Sequence, residues 1–503
     1  MQDLFSSYII SPIFYSIRKF GNRNAFYVNG IFYTYHDLGE SISKIRNTLK
    51  RSNTCPKLYG LVINDDLETY ASIIALWSEG KGFVPLHPFH PFDRCLNIIE
   101  QVSLTCILDS SETTRYSDQK VINTKKLRST SFCFNVYNNF SDLDLAYVLF
   151  TSGSTGTPKG VMISRQNIGA FMDSFWKTGI VITEEDRCLQ CFDLTFDVSI
   201  QSFLVALTKG ACVYTIPHGE IKYIYVISLI QEHKLTLGAM PPSLLMFLKP
   251  YLGEIDVSSL KTCIITAEAC PLSLMEEWFK CVPNSNIYDF YGPTETTIYC
   301  TYYKLEKTKE NKILNGIISI GKPLSNVFTI IVDENNEQLP IGEKGELCVA
   351  GLQVTPGYWN NPQRNEEAFF EKEVQGELHR FYHTGDLCYQ DVDGDIMYSG
   401  RMDNQVKIQG FRVEMSEIEH HAREFLKEMK VLSVAYETNE KHIEIALFIE
   451  SDRFGTEELM KYLRSKMPSY MIPKKIFFET SFPLNANDKI DRNKLKLMIW
   501  KNN

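Results

Sequence analysis

Residues 151–160, TSGSTGTPKG, combine small residues, hydroxyl groups and one lysine, which is a combination suited to binding phosphate. Small residues let backbone N–H groups approach phosphate oxygens, while Lys159 adds a positive charge. The pattern is not that of a P-loop, because Pro158 stands where the second glycine would be. The loop alone therefore leaves two interpretations open, a phosphate-binding loop or an ordinary turn. The residues that would contact phosphate are Thr151, Ser152, Gly153, Ser154, Thr155, Gly156 and Lys159.

The chain around this loop alternates short apolar runs with amphipathic segments, from about Tyr59 to Phe290. Short apolar runs bounded by turn residues predict strands, and apolar residues at helical spacing predict helices. This alternation is typical of α/β units around largely parallel sheets. The predicted strands are 58–64, 82–86, 105–109, 148–152, 210–216, 235–240 and 262–267, and the predicted helices are 67–80, 165–179 and 223–234.

The pattern of apolar and turn residues changes after Tyr291. Residues 328–351 have turn-rich, hairpin-like segments. A further hairpin and a helix follow over 391–426, and the last hundred residues have a β-α-β-β-α pattern. We therefore predict an α/β fold, with a large N-terminal part that has parallel-type α/β subdomains and a small β-rich subdomain. A small, mobile C-terminal α+β domain completes it. The predicted domains are 1–402 and 403–503, with Asp403 as the hinge.

Composition narrows the classes of function. The 503 residues carry a formal net charge of −9, which argues against a nucleic-acid surface. The 13 cysteines have no framework spacing and predict reduced, buried thiols of a cytoplasmic protein. Cys188 and Cys191 form a CxxC that runs into an apolar alternating segment, so we favour a buried strand over a redox or zinc site. Neither a signal peptide nor a membrane span is predicted, and we expect a monomer that does not bind membranes.

Seven motifs occur in a fixed order along the chain. The motifs are TSGSTGTPKG from Thr151, FDVSIQ from Phe196, YGPTETTIY from Tyr291, GELCVAGLQVTPGYWNNP from Gly345, YHTGDL from Tyr382, GRMDNQVKIQGFRVEMSEIE from Gly400 and LNANDKIDRNKL from Leu484. Together they closely resemble those of the adenylate-forming enzymes, specifically the amino-acid adenylation domains of nonribosomal peptide synthetases. The chain is also similar to free-standing relatives such as D-alanine–carrier-protein ligase. The resemblance covers essentially the whole chain.

The resemblance implies two half-reactions with ATP and Mg²⁺. An amino acid's carboxylate attacks the α-phosphorus of ATP, which gives aminoacyl-AMP and pyrophosphate. The phosphopantetheine thiol of a carrier protein then takes the acyl group. Because no carrier or condensation motif is present in the sequence, we expect the carrier to be a separate protein.

The same resemblance assigns catalytic roles to charged residues. Lys489 matches the lysine that contacts both the substrate carboxylate and ATP, and one cation between two anions would offset their repulsion. Glu295 matches the Mg²⁺ ligand, and Arg401 is expected to reach ribose or phosphate. Asp386 matches the carboxylate that accepts the ribose hydroxyls. The other residues expected along the nucleotide are the loop residues above and Asp289, Phe290, Tyr291, Gly292, Pro293, Thr294 and Tyr398.

Asp197 is the residue that favours an amino acid over other acids. A carboxylate at this position of the acyl pocket pairs with an α-ammonium group, and a buried, unpaired aspartate would be costly. Asp193, which we place on the same strand, is the alternative candidate for this carboxylate. The interpretation without a substrate is that the aspartate only caps the start of a helix. The mostly apolar lining predicts a neutral, small to medium amino acid. The predicted lining also includes Val198, Gln201, Ala239, Ile264, Thr266, Phe290, Ile298, Tyr299 and Lys489.

Three positions depart from the pattern of the family. Asp289 stands where asparagine is usual, and Asp488 replaces a glycine before Lys489. Ala267 lies before Glu268 where the family usually has glycine. None of these changes removes a cation or a metal ligand, so we expect an active enzyme.

Two other functions remain as alternatives. An aryl or fatty acyl-CoA ligase would have the same fold but an acid substrate without an ammonium group. Asp197 argues against this alternative because it would then have no ammonium group to pair with. A degenerate nucleotide-binding scaffold is suggested only by Asp289 and Asp488. His420 and His421 are adjacent on a predicted helix and are interpreted as surface or packing residues rather than as ligands.

Overall fold

A computed structural model describes residues 3–51, 56–128, 132–133, 140–153, 156–403, 405–427, 429–439, 441–483 and 490–501. The chain divides into two compact units. The first unit comprises Met1–Pro88, Val102–Leu149 and Gly160–Met402, and the second comprises Phe89–Gln101, Phe150–Lys159 and Asp403–Asn503.

A nine-stranded sheet forms one half of the first unit. Its central strands are parallel, and antiparallel strands lie at both edges. The central strands are buried along their length, as expected when helices cover both faces of a parallel sheet. In spatial order the strands are Lys322–Pro323, Thr301–Leu305, Asn286–Tyr291, Thr262–Thr266, Leu237–Met240, Arg187–Gln190, Cys212–Thr215, Asn24–Val28 and Ile31–Thr34.

A seven-stranded sheet forms the other half. Its pairs from Leu145–Thr151 to Lys120–Asn123 are parallel, and Gly357–Tyr358 adds an antiparallel edge. One hydrophobic core includes Leu61 of this sheet and Leu189 of the nine-stranded sheet. In spatial order the strands are Gly357–Tyr358, Lys159–Ser164, Leu145–Thr151, Gly82–Leu86, Leu58–Val62, Cys106–Asp109 and Lys120–Asn123. All seven predicted strands are thus strands of these two sheets.

The helices between the strands begin where polar side chains satisfy the first backbone N–H groups. Asp66 accepts from the Thr69 N–H before one helix, and Ser164 forms a capping box with Asn167 before another. The three predicted helices are observed. The helices are Ser11–Lys19, Tyr35–Arg51, Leu67–Ser78, Phe92–Val102, Arg165–Trp176, Asp197–Leu207, Lys222–His233, Pro242–Leu248, Leu272–Cys281 and Pro362–Ala368.

The predicted β-rich subdomain is an antiparallel five-stranded sheet. Asn336 and Gly342 have positive φ angles of 64° and 88° in the turn-rich stretch between its first two strands. Such backbone conformations favour asparagine and glycine. The strands are Val327–Val332, Gly345–Gly351, Phe369–Val374, Glu377–Gln390 and Ile396–Arg401, and a short hairpin pairs Ile313–Leu314 with Ile317–Ile318.

The second unit contains the predicted α+β fold. A hairpin is followed by a helix and by a three-stranded sheet. The β-α-β-β-α prediction is confirmed but incomplete, because a further strand and a further helix follow. From Asp403 onward the strands are Gln405–Ile408, Phe411–Glu414, Lys430–Glu437, Ile443–Glu450 and Lys475–Glu479, and the helices are Met415–Leu426, Glu457–Lys466 and Arg492–Lys501. Most of the helix Phe92–Val102 also belongs to this unit.

The CxxC cysteines lie at the end of a strand. Cys188 is in Arg187–Gln190, Cys191 directly follows it, and both thiols are buried and free. Burial raises the pKa of Cys191 to about 11 and that of Cys188 well above its usual value. Protonated, buried thiols suit packing rather than redox or zinc chemistry. Within the described ranges no helix combines the length and the apolar character that a membrane span requires.

Candidate functional site

The predicted phosphate loop is part of the second unit and contacts carboxylates there. The Gly153 N–H donates to Glu417 Oε2 at 3.1 Å, and Lys159 Nζ lies 3.7 Å from Glu414 Oε1. Ser152 Oγ donates to the Arg412 carbonyl at 3.0 Å. Two of the donors expected to bind phosphate, the Gly153 N–H and Lys159, therefore face carboxylate oxygens, and Ser152 donates to a neutral carbonyl. Ser154 and Thr155 lie outside the described residues.

Glu417 itself is part of a buried ion pair. Its Oε1 lies 2.6 Å from Arg94 Nη1, and their side chains are 0% and 7% exposed. Arg94 neutralises a carboxylate whose second oxygen is bound by the loop. The loop conformation and this ion pair are thus linked through a single side chain.

Three of the residues predicted to bind the nucleotide contact one another in the first unit. Tyr291 Oη donates to Asp386 Oδ2 at 2.5 Å, and Arg401 Nη1 donates to Asp386 Oδ1 at 3.1 Å. Asp386 lies inside strand Glu377–Gln390, directly opposite Arg401 on the next strand, rather than in a turn before a strand. Both oxygens of this buried carboxylate are therefore oriented, and each retains a lone pair for a further donor.

Glu295 is in a short 3-10 turn and is fully buried. Its Oε1 accepts a hydrogen bond from Tyr358 Oη at 2.7 Å. The charge of Glu295 also contributes to the raised pKa of Asp197, so two carboxylates share one buried region. A hard divalent cation binds carboxylate oxygens and would reduce this concentration of negative charge. The residue present therefore fits the predicted Mg²⁺ ligand.

Asp197 begins the helix Asp197–Leu207, and Phe196 is the N-cap residue. Our placement of Asp193 and Asp197 on one strand is wrong, because that strand ends at Gln190. Asp197 instead accepts the Ile298 N–H at 3.1 Å, and its side chain is buried. Burial raises the pKa of Asp197 to about 6, the Ile298 N–H partly opposes that shift, and the Glu295 charge adds to it. Within the described part of the chain, no cation forms an ion pair with this carboxylate.

The backbone that holds Asp197 is strained. Thr297 and Ile298 have φ angles of 59° and 71°, which are uncommon for residues other than glycine and most unusual for β-branched side chains. A Cβ added at Gly292 would lie 2.6 Å from the Ile298 carbonyl oxygen. Glycine is therefore needed at position 292 for the close approach that places the Ile298 N–H.

The side chains that are predicted to line the acyl pocket and lie within the described residues are buried in the first unit. Phe290 and Tyr299 pack with ring centroids 4.9 Å apart, which makes the lining bulky on one side. The amide of Gln201, one helical turn after Asp197, is fully buried, and both of its polar atoms have no hydrogen-bond partner among the described residues. The other predicted lining residues that the structure describes are Val198, Ala239, Ile264, Thr266 and Ile298.

Two of the departures from the family pattern are visible. Ala267 has a φ angle of 70°, a left-handed conformation that favours the glycine usual there. Glu268 accepts hydrogen bonds from the N–H and hydroxyl of Ser243 at 2.8 and 2.9 Å. Asp289 is buried inside strand Asn286–Tyr291. Asp488, the third departure, lies outside the described residues.

Other predicted site residues are placed as follows. Lys489 lies outside the described residues, so its role stays a prediction. Asp403 is the first residue of the last stretch of the second unit, and its Oδ1 accepts from the Gln405 N–H at 3.0 Å. Tyr398 is in the same strand as Arg401. Gly292, Pro293 and Thr294 follow the end of strand Asn286–Tyr291, and Gly156 lies next to the ring of His420.

His420 and His421 both approach Glu424 on their helix. His421 Nδ1 lies 3.0 Å from Glu424 Oε2, and His420 Nε2 lies 3.8 Å from Oε1. Their interpretation as packing or surface residues stays a prediction, because these three side chains are close enough to share a cation.

Sequence reasoning missed two contacts and one buried hydroxyl group. Tyr358 was within a quoted motif, but no role was given to it, and it binds Glu295. The Arg94–Glu417 pair joins residues 323 positions apart. The hydroxyl of Tyr147 is buried without a partner among the described residues. Burial, with a smaller contribution from the charge of Asp197, raises the pKa of Tyr147 well above its usual value.

The fold defines the class of protein. The crystal structure of the Vibrio cholerae adenylation domain AlmE in complex with glycyl-adenosine-5'-phosphate superposes with a TM-score of 0.87 and 22% identity, covering 98% of this chain and 97% of that chain. The architecture is therefore that of an adenylation domain.

Sequence comparison gives the family. Residues 13–359 match the family described as AMP-binding enzyme, and the chain belongs to that family of adenylate-forming ligases. Zwittermicin A synthase ZmaJ of Bacillus cereus is 31% identical over 484 residues, 92% of this chain and 90% of that protein. Tyrocidine synthase 1 of Brevibacillus parabrevis is 30% identical over 473 residues, 92% of this chain. The match spans 42% of the length of tyrocidine synthase 1.

Proposed function

We propose that this chain uses ATP to activate a neutral amino acid as aminoacyl-AMP, releases pyrophosphate, and transfers the aminoacyl group to the phosphopantetheine thiol of a separate carrier protein. The observation that carries the proposal is the buried carboxylate of Asp197, oriented by a backbone N–H and without a cation among the described residues. A substrate α-ammonium group would supply the missing positive charge. Acids without an ammonium group would not compensate the energetic cost of burying this charged carboxylate.

The relatives support the same chemistry. AlmE was crystallised with glycyl-adenosine-5'-phosphate, and an artificially fused Adenylation-PCP di-domain from Klebsiella oxytoca also has this fold, with a TM-score of 0.78.

The nucleotide would be held at two places. The ribose hydroxyls would donate to Asp386, which Tyr291 and Arg401 already orient. The loop would bind the β- and γ-phosphates through the Gly153 N–H and Lys159, and for this the Gly153 N–H must exchange Glu417 for a phosphate oxygen. Glu295 would hold Mg²⁺, which when bound neutralises charge on the triphosphate.

Lys489 would complete the arrangement by contacting the carboxylate and the ATP. Attack at the α-phosphorus joins two anions, so a bridging cation stabilises the transition state more than either reactant. We expect Lys489→Ala to slow adenylation by orders of magnitude with little change in folding.

The unsatisfied amide of Gln201 refines the substrate class. It lies on the same helix face as Asp197, four residues on, and a buried amide without partners is costly. A substrate side chain with a hydroxyl or amide group would satisfy it, whereas Phe290 and Tyr299 restrict the size. We therefore propose a small to medium amino acid with a neutral, hydrogen-bonding side chain.

Pyrophosphate exchange with a panel of acids tests the proposal. Exchange that depends on amino acids, and is absent with their des-amino analogues, is the expected result. Exchange only with aryl or fatty acids would support a CoA ligase, and a lack of exchange with every acid tested would support a nucleotide-binding scaffold. Thioester formation should then be measured with a phosphopantetheinylated carrier protein and with free CoA as the rival acceptor.

A further inference from the structure

We propose that His87, Asp193 and His218 form a binding site for Zn²⁺ that is separate from the ATP–Mg²⁺ chemistry. His87 directly follows strand Gly82–Leu86 of the seven-stranded sheet. Asp193 and His218 each lie three residues beyond the parallel strands Arg187–Gln190 and Cys212–Thr215 of the nine-stranded sheet. The carboxyl ends of strands from both sheets thus bring three metal-ligating side chains together.

The distances suit one cation. A nitrogen from each histidine and an oxygen of Asp193 lie within 4.8 Å of one another. His87 Nε2 and Asp193 Oδ2 are 2.8 Å apart, and the two imidazole rings have centroids 5.2 Å apart. Two ligands of a tetrahedral zinc ion, each about 2.1 Å from the metal, are about 3.4 Å apart. Small side-chain movements would therefore open the His87–Asp193 pair to the ion.

Outer contacts already orient two of the ligands. Asp193 Oδ1 accepts from the N–H and the hydroxyl of Thr195 at 2.8 and 2.6 Å, which directs Oδ2 toward His87. His218 Nε2 lies 3.0 Å from the Ile63 carbonyl oxygen. A metal-binding histidine typically donates its other N–H to a carbonyl or carboxylate, which fixes the ring and leaves the lone pair on the second nitrogen.

The surroundings favour zinc and leave room for a water ligand. Imidazole and carboxylate together suit Zn²⁺ better than Mg²⁺, which prefers oxygen ligands alone. A cavity of about 150 Å³ is lined by Asp193 and His218, together with Asp65, Gln190 and Lys222. Three protein ligands with an open fourth position are an established zinc arrangement.

Bound zinc would tie the two sheets together. Asp193 lies four residues before Asp197, in the segment between a strand of the nine-stranded sheet and the helix that carries the acyl-pocket carboxylate. The ion would hold that segment to the end of strand Gly82–Leu86 through His87. The ion would therefore link the two sheets, and its binding does not depend on the proposed adenylation reaction.

Two other groups could also hold a cation and provide matched controls. One is Glu346, Cys348 and His383, where burial raises the pKa of the Cys348 thiol above its usual range, so a proton must be lost before it binds metal. The other is His420 and His421 with Glu424.

Zinc binding should be measured on the metal-free full chain without ATP, by competition with a chromophoric chelator. The first equivalent should bind tightly in the wild type, and His87→Ala, His218→Ala and Asp193→Asn should each weaken it at least about 100-fold. His383→Ala and His421→Ala should leave it unchanged. If the first equivalent persists in His218→Ala, or is lost in His383→Ala or His421→Ala, the assignment is overturned.

Cobalt substitution separates ligation from folding. Co²⁺ alone should give the visible bands of a tetrahedral site in the wild type. His87→Cys should keep tight binding and add a sulfur-to-cobalt charge-transfer band, because the new thiolate would bind the metal directly. Tight binding without that band would show that residue 87 does not contact the ion and would refute the site as proposed.

Discussion

Replacing Asp197 with asparagine should stabilise the ligand-free protein while it destroys recognition of the substrate amine. The Asp197 pKa of about 6 against an ordinary 3.8 means that burial opposes the ionised form. At pH 8 this pKa difference lowers the free energy of unfolding of the wild type by about 3 kcal/mol. Asparagine keeps the shape and still offers an oxygen to the Ile298 N–H, but it carries no charge to desolvate.

The sign of the pH dependence follows from proton binding. Between about pH 4 and pH 6 the folded wild type binds more protons at this site than the unfolded chain, so its stability falls as pH rises through that window. Asp197→Asn lacks this loss. The two proteins should therefore be similarly stable near pH 4 and differ by about 3 kcal/mol at pH 8, with the variant the more stable.

Urea unfolding of the ligand-free proteins, followed by tryptophan fluorescence, measures the difference, because Trp77 and Trp278 are buried in the first unit. Asp186→Asn is the matched control with the opposite sign. Burial alone would raise the pKa of Asp186, but hydrogen bonds from Thr183 and Thr236 outweigh burial and lower it. That variant should lose stability at pH 8.

Substrate binding gives the second readout. Asp197→Asn should raise the amino-acid KM sharply in pyrophosphate exchange and leave ATP binding intact, since the proposed partner of Asp197 is the substrate amine and not the nucleotide. A variant no more stable than the wild type at pH 8, or one with unchanged amino-acid affinity, would refute the reasoning.

Three further changes have expected outcomes. Ala267→Gly should raise the free energy of unfolding by about 1 kcal/mol in urea titrations, because the φ of 70° costs alanine more than glycine. Arg94→Met should lower stability by roughly 3–5 kcal/mol in thermal unfolding, and adding Glu417→Leu should restore most of it, since the single change leaves a buried charge unpaired. Gln201→Met should reduce the preference for threonine over valine in pyrophosphate exchange about tenfold, because the variant has no amide to satisfy.

Most of the fold follows from hydrophobic patterning. Parallel strands buried on both faces, such as Leu58–Val62 and Thr262–Thr266, are short and largely apolar runs, and their length between turn residues identifies them as strands. The segment before Asp197 misled the same analysis. Residues 191–196 alternate like a strand, and the following helix begins after Phe196, which makes no side-chain cap to signal it.

The candidate site was predictable where side chains in motifs meet, as at Asp386, Tyr291 and Arg401. It was not predictable where backbone groups or distant residues act. The donor to Asp197 is the N–H of Ile298, which no residue type reveals, and the partner of Glu417 lies 323 positions away along the chain. Such contacts depend on the tertiary fold, which brings distant segments of the chain together.

The backbone origin of the hydrogen bond to Asp197 has a consequence for how such pockets diversify. Because the donor belongs to the main chain at residue 298, the side chain there can be exchanged while the Asp197 carboxylate, the proposed partner of the substrate amine, keeps its orientation. Gly292, which permits the close approach, is in contrast intolerant of change. Substitutions at position 298 and its neighbours can therefore change the choice of substrate side chain. They need not alter the contact proposed between Asp197 and the substrate amine.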